Sequence, residues 1–239
     1  MEIFIKILKY HKIGMNTLPF SLLGFGFLLG LKHSFDVDHI VAISAISSKT
    51  ETIKKSSLVG MLWGIGHTIS LFITGLIVLL FKILIPEKLA LLLELIAGLM
   101  LIILGLNILI RINRDKIHFH KHKHGKAEHI HLHSHLTTKN HNHSHRPLLI
   151  GLIHGLAGSA ALTLLILTTI DSIFAGIFYI SIFSIASIIG MIVVSNIVSF
   201  PFRLIPSRFK KTHKILLIST SLTSLIMGFN ILHQTIKII

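Results

Sequence analysis

The sequence predicts an all-α integral membrane protein, with six transmembrane helices arranged as two inverted three-helix repeats. Three observations point there. Of the 239 residues, 52% are hydrophobic and only 13% are charged, and the mean hydropathy is +0.80, too apolar for a water-soluble domain. The apolar residues are gathered into runs that approach or exceed the ~20 residues a helix needs to cross a bilayer. Short motifs also recur between the halves at nearly constant offset. Gly30-Leu31-Lys32-His33 returns 121 residues later as Gly151-Leu152-Ile153-His154, and Gly105-Leu106-Asn107-Ile108-Leu109 returns after 123 as Gly228-Phe229-Asn230-Ile231-Leu232. Three spans begin and end on opposite sides of a membrane, so a second copy is inserted upside down. Inverted repeats of this kind place a transporter's site near mid-membrane.

The elements follow in order along a single transmembrane transporter domain, 1–239. Residues 1–16 set Lys6, Lys9 and Lys12 among Ile3, Phe4, Ile7 and Leu8, an amphipathic lead-in of interfacial type. A signal peptide is the competing reading, but Lys32 and His33 follow the apolar run instead of a small-residue cleavage pattern. The first repeat, 18–110, holds helix one (Leu18 to Ser47), helix two (Ser57 to Phe81) and, after Pro86, helix three (Lys88 to Ile110). Residues 111–146 are polar, basic and rich in histidine, and form a loop. The second repeat, 147–238, opens with Pro147, which suits a first helical turn. It holds helix four to Ile170, helix five from Ser172 to Ser199, stopped by Pro201 and Pro206, and helix six from Lys214 to Lys237.

Charge orients the bundle. The N-terminus, loops 2–3 and 4–5 and the C-terminus carry six Lys/Arg, against sixteen in loops 1–2, 3–4 and 5–6. The positive-inside rule puts the second set, including the His-rich loop, in the cytoplasm and both termini outside a cytoplasmic (inner) membrane. The net charge of +14 therefore reflects topology and not nucleic-acid binding. The chain has no cysteine, which excludes thiolate ligation, disulfides and thiol redox chemistry.

The most informative stretch is Leu31-Lys32-His33-Ser34-Phe35-Asp36-Val37-Asp38-His39-Ile40, two histidines and two aspartates inside a spanning helix. A charged group at the bilayer centre costs about 2.5–3.5 kcal/mol even on the lenient insertion scale, so the cluster has a use. Imidazole with carboxylate suits a divalent transition metal. On an ideal helix His33, Asp36 and His39 share an arc of about 120°, and Asp38 points away from it. Asp38 is then an outer partner, or the helix unwinds locally. Along an unbroken helix His39 lies about 9 Å from His33. His67 in Gly66-His67-Thr68 and His154 in helix four are the other intramembrane candidates; packed, hydrogen-bonded histidines are the plainer alternative for each. The pairs Gly26/Gly30, Gly60/Gly64 and Gly151/Gly155 have the spacing that lets helix backbones approach closely. Asn107 and Asn230 read as interhelical hydrogen-bonding groups, and Trp63 as packing or interface.

The loop carries eleven of the eighteen histidines: His118, His120, His122, His124, His129, His131, His133, His135, His141, His143 and His145. Such tracts bind divalent metals with little selectivity and read as a secondary metal store, or as a dispensable linker.

With these residues in view, the chain resembles the nickel/cobalt transporter family (NiCoT). Lys32-His33-Ser34-Phe35-Asp36-Val37-Asp38-His39-Ile40 matches its signature helix, and Gly66-His67-Thr68 its next helix. The family's later acidic motifs are absent. Gly151-Leu152-Ile153-His154-Gly155-Leu156-Ala157-Gly158-Ser159-Ala160 stands in their place and resembles the shorter, six-helix urease-accessory nickel permease branch. The resemblance implies that His33, Asp38 and His39 bind the ion, with Asp36 and His67 supporting them. It implies transport of nickel or cobalt as substrate, no resident cofactor and no enzymatic activity. It also implies cytoplasmic nickel chaperones or urease and hydrogenase maturation proteins as partners, besides the ion and the lipid bilayer. Two competing functions remain at this point: transport of another divalent metal such as zinc, and a membrane-anchored metal store or metalloenzyme.

Overall fold

A computed structural model describes residues 20–48, 50, 52–82, 86–114, 121–124, 127–130, 145–156, 166–170, 172–205 and 209–238. Among these residues the fold is all-helical apart from one small antiparallel strand pair. In chain order the elements are α1 (Phe20–Ser34), α2 (Val37–Ser47), α3 (Ile53–Phe81), α4 (Glu87–Arg114), β1 (Lys121–His124), β2 (Ala127–Ile130), α5 (Arg146–Gly155), α6 (Ile173–Leu204) and α7 (Lys210–Ile238). Among the described residues, four helices are long and apolar enough to cross a membrane: Ile53–Phe81, Glu87–Ile112, Ile173–Leu204 and Lys211–Ile238.

The two remaining apolar segments depart from the expected continuous spans. Helix one is broken at Phe35 and Asp36, giving α1 and α2. The last turn of α1 tightens, with Phe35 N donating to Lys32 O at 2.9 Å and Asp36 N to His33 O at 3.1 Å. Asp36 then adopts extended backbone (φ −61, ψ 146) and becomes the N-cap of α2. Aspartate favours caps over helix interiors because its carboxylate competes for nearby polar groups. Helix four is likewise interrupted. α5 ends at Gly155, followed by a turn at Leu156; helix is described again at 166–168, and 157–165, with Ser159 and Thr163, lie outside the described residues.

The other ends follow local chemistry. Thr52 caps α3 by accepting from Lys55 N at 3.2 Å, and Ser172 caps α6 by accepting from Ala175 N at 3.3 Å. α6 runs past Pro201 to Leu204 instead of stopping at Ser199; the proline removes one amide bond and crowds the carbonyl one turn back, but Ile205 N still donates to Pro201 O at 3.3 Å. At the other end of α3, Lys82 takes a left-handed conformation and its ammonium donates to Ile170 O. The 111–146 segment is not all loop: α4 extends to Arg114, and β1 pairs antiparallel with β2, His122 opposite His129. The lead-in 1–16 lies outside the described residues.

α1 packs on α6, α3 on both α5 and α6, and α4 on α7, while α2 touches α3, α4, α6 and α7. The contacts are backbone to backbone where glycines fall. A Cβ built at Gly66 would press on Leu148 O and lie 2.9 Å from Leu152 N; one at Gly190 would press on Ser34 and approach Leu31 O at 3.5 Å. A Cβ at Gly105 would sit 2.9 Å from Ser221 O, and one at Gly228 2.7 Å from Gly98 O. The apolar core has two parts. One gathers Leu71, Leu167, Tyr179 and Phe183, the other Ile43, Trp63, Leu101 and Met191.

Candidate metal centre

The break between α1 and α2 lies where these two cores meet, and it reorganises the polar motif. His33 is in the last turn of α1, and His39 is in the first turn of α2. Unwinding brings their ring centroids to 4.4 Å, where a straight helix would hold them about 9 Å apart along its axis. α3 supplies His67, with ring centroids 5.1 Å from His33 and 4.9 Å from His39. α5 supplies His154 in its last turn, 4.7 Å from His39. His39 and His154 are fully buried, His67 is 1% exposed and His33 6%. Four imidazoles therefore converge in an apolar interior.

The carboxylates fix which ring nitrogens are free. Asp36 Oδ2 lies 3.0 Å from His33 Nδ1. Asp38 Oδ1 accepts from the His39 amide at 2.9 Å and faces His39 Nδ1 at 2.9 Å. Ionised carboxylates only accept, so each Nδ1 is placed to donate to its aspartate, which in a neutral ring leaves Nε2 with its lone pair. His33 Nε2 faces His67 Nε2 at 2.9 Å, and His39 Nε2 has no hydrogen-bond partner among the described residues. The other Asp38 oxygen, Oδ2, lies 3.1 Å from His154 Nε2. That contact is in ion-pair range but does not make a ring N–H hydrogen bond, so among the described residues neither His154 ring nitrogen has a hydrogen-bond partner.

Asp38 thus belongs to the centre, by the unwinding that the sequence left open, and Asp36 lies at its edge on His33 alone. Their side chains are 18% and 35% exposed, respectively. Two sets of three donor atoms each lie mutually within 4.8 Å: His33, His39 and His67; and Asp38, His39 and His154. Either set has the chemistry to hold a divalent transition metal.

One wall escaped the sequence reading. Trp63 is fully buried, stacks on His67 at 5.7 Å, and packs on His154 at 5.5 Å and on His39 at 5.2 Å. Its position four residues before His67, one turn along α3, was the available signal. Phe183 closes the other side, 5.5 Å from His33. The glycines hold α5 on α3 here: a Cβ at Gly151 would press on Trp63 O and lie 3.0 Å from His67 N, and one at Gly155 would press on His67 O.

Other expected groups lie elsewhere. Asn107 is exposed, and Asn230 accepts from Gln234 within α7 at 3.3 Å, so among the described residues neither bridges helices. Glu94 meets Thr235 at 3.5 Å. Of the loop histidines, His145 is exposed at the N-cap of α5, and the backbones of His122, His124 and His129 lie in the strand pair. His118, His120, His131, His133, His135, His141 and His143 lie outside the described residues. The sequence also gave no warning of a buried hydroxyl network at the far end of α2, α3 and α6. There Ser47 pairs with Ser195 at 2.9 Å, Ser56 with Ser199 at 2.7 Å, and Arg203 donates to Ser56 at 3.3 Å.

Residues 40–223 match the family model described as cytochrome C biogenesis protein transmembrane region. The chain is also 32% identical to the urease accessory protein UreH of Bacillus sp. (strain TB-90) over 214 residues, covering 90% of this chain and 91% of the relative. No solved structure matches. With no cysteine, this chain has no thiol of its own for haem attachment or disulfide exchange. The matches are to membrane and accessory proteins, and the chain is a multi-pass membrane protein, not an enzyme.

Proposed function

The chain belongs to the family of the urease accessory protein UreH and to that of the cytochrome C biogenesis protein transmembrane region, and from this premise we propose that it is a permease for divalent nickel. Cobalt, nearest in coordination chemistry, is the second ion it would carry. The observation that carries the reading is a pair of imidazole nitrogens, His33 Nε2 beside the α1–α2 break and His67 Nε2 on α3, facing each other at 2.9 Å, with the buried His39 Nε2 unpartnered among the described residues. Two nitrogens bound at right angles about 2.1 Å from one ion are about 3.0 Å apart. A hydrogen bond between two neutral imidazoles would account for one such contact but not for the unsatisfied nitrogens around it.

Charge supports the same reading. A divalent ion stripped of water in an apolar interior needs compensation, and Asp36 and Asp38 supply two negative charges. The C-terminal end of α1 adds its negative dipole end. Both carboxylates act through Nδ1 of a ligand histidine, which orients the ring and raises its basicity.

We read the bundle as six spans in two inverted repeats, with α1 and α2 forming the first span and α5 opening the fourth. The contact pattern supports this: Gly66 meets Leu148 and Leu152 as Gly190 meets Ser34 and Leu31, and Gly105 meets Ser221 as Gly228 meets Gly98. The helix breaks after Ser34 and after Gly155 are themselves 121 residues apart. Interrupted helices at corresponding positions of two repeats are the mark of a transporter's binding site. The His-rich loop would face the cytoplasm and pass ions to nickel chaperones or to urease and hydrogenase maturation proteins. Cells expressing the chain should accumulate nickel above a vector control, with cobalt competing better than zinc. No excess nickel in cells with the protein in their membranes would refute the assignment.

A further inference from the structure

The two donor sets overlap in one residue. His33, His39 and His67 form one; Asp38, His39 and His154 form the other. We infer that these are two successive positions for one ion, and that His39 hands it from one to the other. The inference rests on the permease reading and goes further, by assigning His154 and Asp38 a step of their own.

Geometry separates the positions. His33 and His154 both approach His39, with ring centroids at 4.4 and 4.7 Å, yet fall in separate donor sets. They come from different helix ends, each in the last turn before a break, and they occupy matching places 121 residues apart in the two halves. The first position offers three imidazoles; the second replaces two of them with a carboxylate and His154. A single tight cage would hold the ion without releasing it. Passage requires binding strong enough to enter and divided enough to leave. A shared ligand meets both needs, because the ion exchanges His33 and His67 for Asp38 and His154 while one bond to His39 persists. It is then never bare in a low-dielectric interior, where an uncompensated charge is prohibitive. Trp63 packs on His39, His67 and His154 and so touches ligands of both positions.

The test measures nickel binding and nickel uptake separately, on full-length chains whose loop histidines are changed to serine to silence the loop. Wild-type residues at the centre should bind about one Ni²⁺. His39→Ala removes a ligand from both positions and should lower affinity beyond the roughly 10–100-fold that loss of a single supporting group costs. His154→Ala leaves the first position and His67→Ala the second. Each should still bind Ni²⁺ within about tenfold of wild type, below the upper end of that range, yet lose uptake. His154→Gln, which keeps a polar side chain of similar length, is measured alongside and should behave like His154→Ala; it decides the matter if the alanine variant does not reach the membrane. Equal loss of binding in all the variants would overturn the hand-off in favour of one indivisible site. Normal uptake by His154→Ala or His154→Gln would overturn it too, while leaving the permease reading intact. No nickel bound by the wild-type centre would remove both.

Discussion

Replacing Gly151 with alanine should uncouple transport from expression. A methyl there would press on Trp63 O and lie 3.0 Å from His67 N, both backbone atoms of α3 that cannot swing aside. Carbon reaches its optimal separation at about 3.5–4.0 Å, so α5 must withdraw by roughly an ångström. His154 lies on the same face of α5, three residues on, and moves with it. Metal sites hold their ligands to within about 0.2 Å, and a misplacement of about 1 Å can cost on the order of 100-fold in rate. Nickel uptake, normalised to membrane-inserted protein, should fall by about that factor. Stability should fall by about 1–3 kcal/mol, the usual cost of overpacking, read as a lower melting temperature in detergent. Gly24→Ala is the matched control, because a Cβ there meets nothing within 4 Å. It should transport normally and melt no lower. If Gly151→Ala transports like wild type, or Gly24→Ala loses as much, the proposed dependence of the centre on close α3–α5 packing is wrong.

Three further outcomes follow. Deleting residues 118–143, which spares the His145 carbonyl that accepts from Leu149 N at 3.0 Å, should leave substantial uptake and alter metal tolerance; complete loss in a well-inserted variant would make the loop part of the transport path. The chain has no native cysteine, so Lys54→Cys and Lys237→Cys can be labelled cleanly in intact cells. An impermeant thiol reagent should reach only the second, and the reverse pattern would invert the topology. Ser56→Ala removes a hydroxyl that pairs with Ser199 at 2.7 Å and with Thr50 at 2.7 Å and accepts from Arg203. It should cost about 1–3 kcal/mol through the stranded partners, seen as a lower melting temperature, with nickel affinity unchanged because His67 lies about 16 Å further along α3.

The class of the fold was legible because membrane helices announce themselves by composition and length. α3, α4, α6 and α7 fall within a few residues of the expected spans. The two broken helices were not legible, since hydropathy is blind to a break whose cause is local. Asp36 ends α1 by taking extended backbone, a choice that a helical-wheel projection forbids by construction. That projection therefore paired Asp36 with the two histidines and turned Asp38 away, whereas unwinding brings Asp38 onto His39 and His154. The histidines themselves were legible as rare polar groups at membrane depth. Trp63 was not, because a buried tryptophan looks the same in sequence whether it fills a core or walls a site. The Ser47–Ser195 and Ser56–Ser199 pairs join residues 148 and 143 apart, a distance over which no local pattern reports.

The most direct test of the account is nickel flux through the purified full-length chain in sealed vesicles, followed by a nickel-quenched dye inside, with His39→Ala reconstituted in parallel. Wild-type vesicles should show saturable nickel flux above protein-free vesicles, and His39→Ala should fall to the protein-free rate. Equal flux in the two, or none above protein-free vesicles in either, would contradict the claim that the histidines at the α1–α2 break carry the ion.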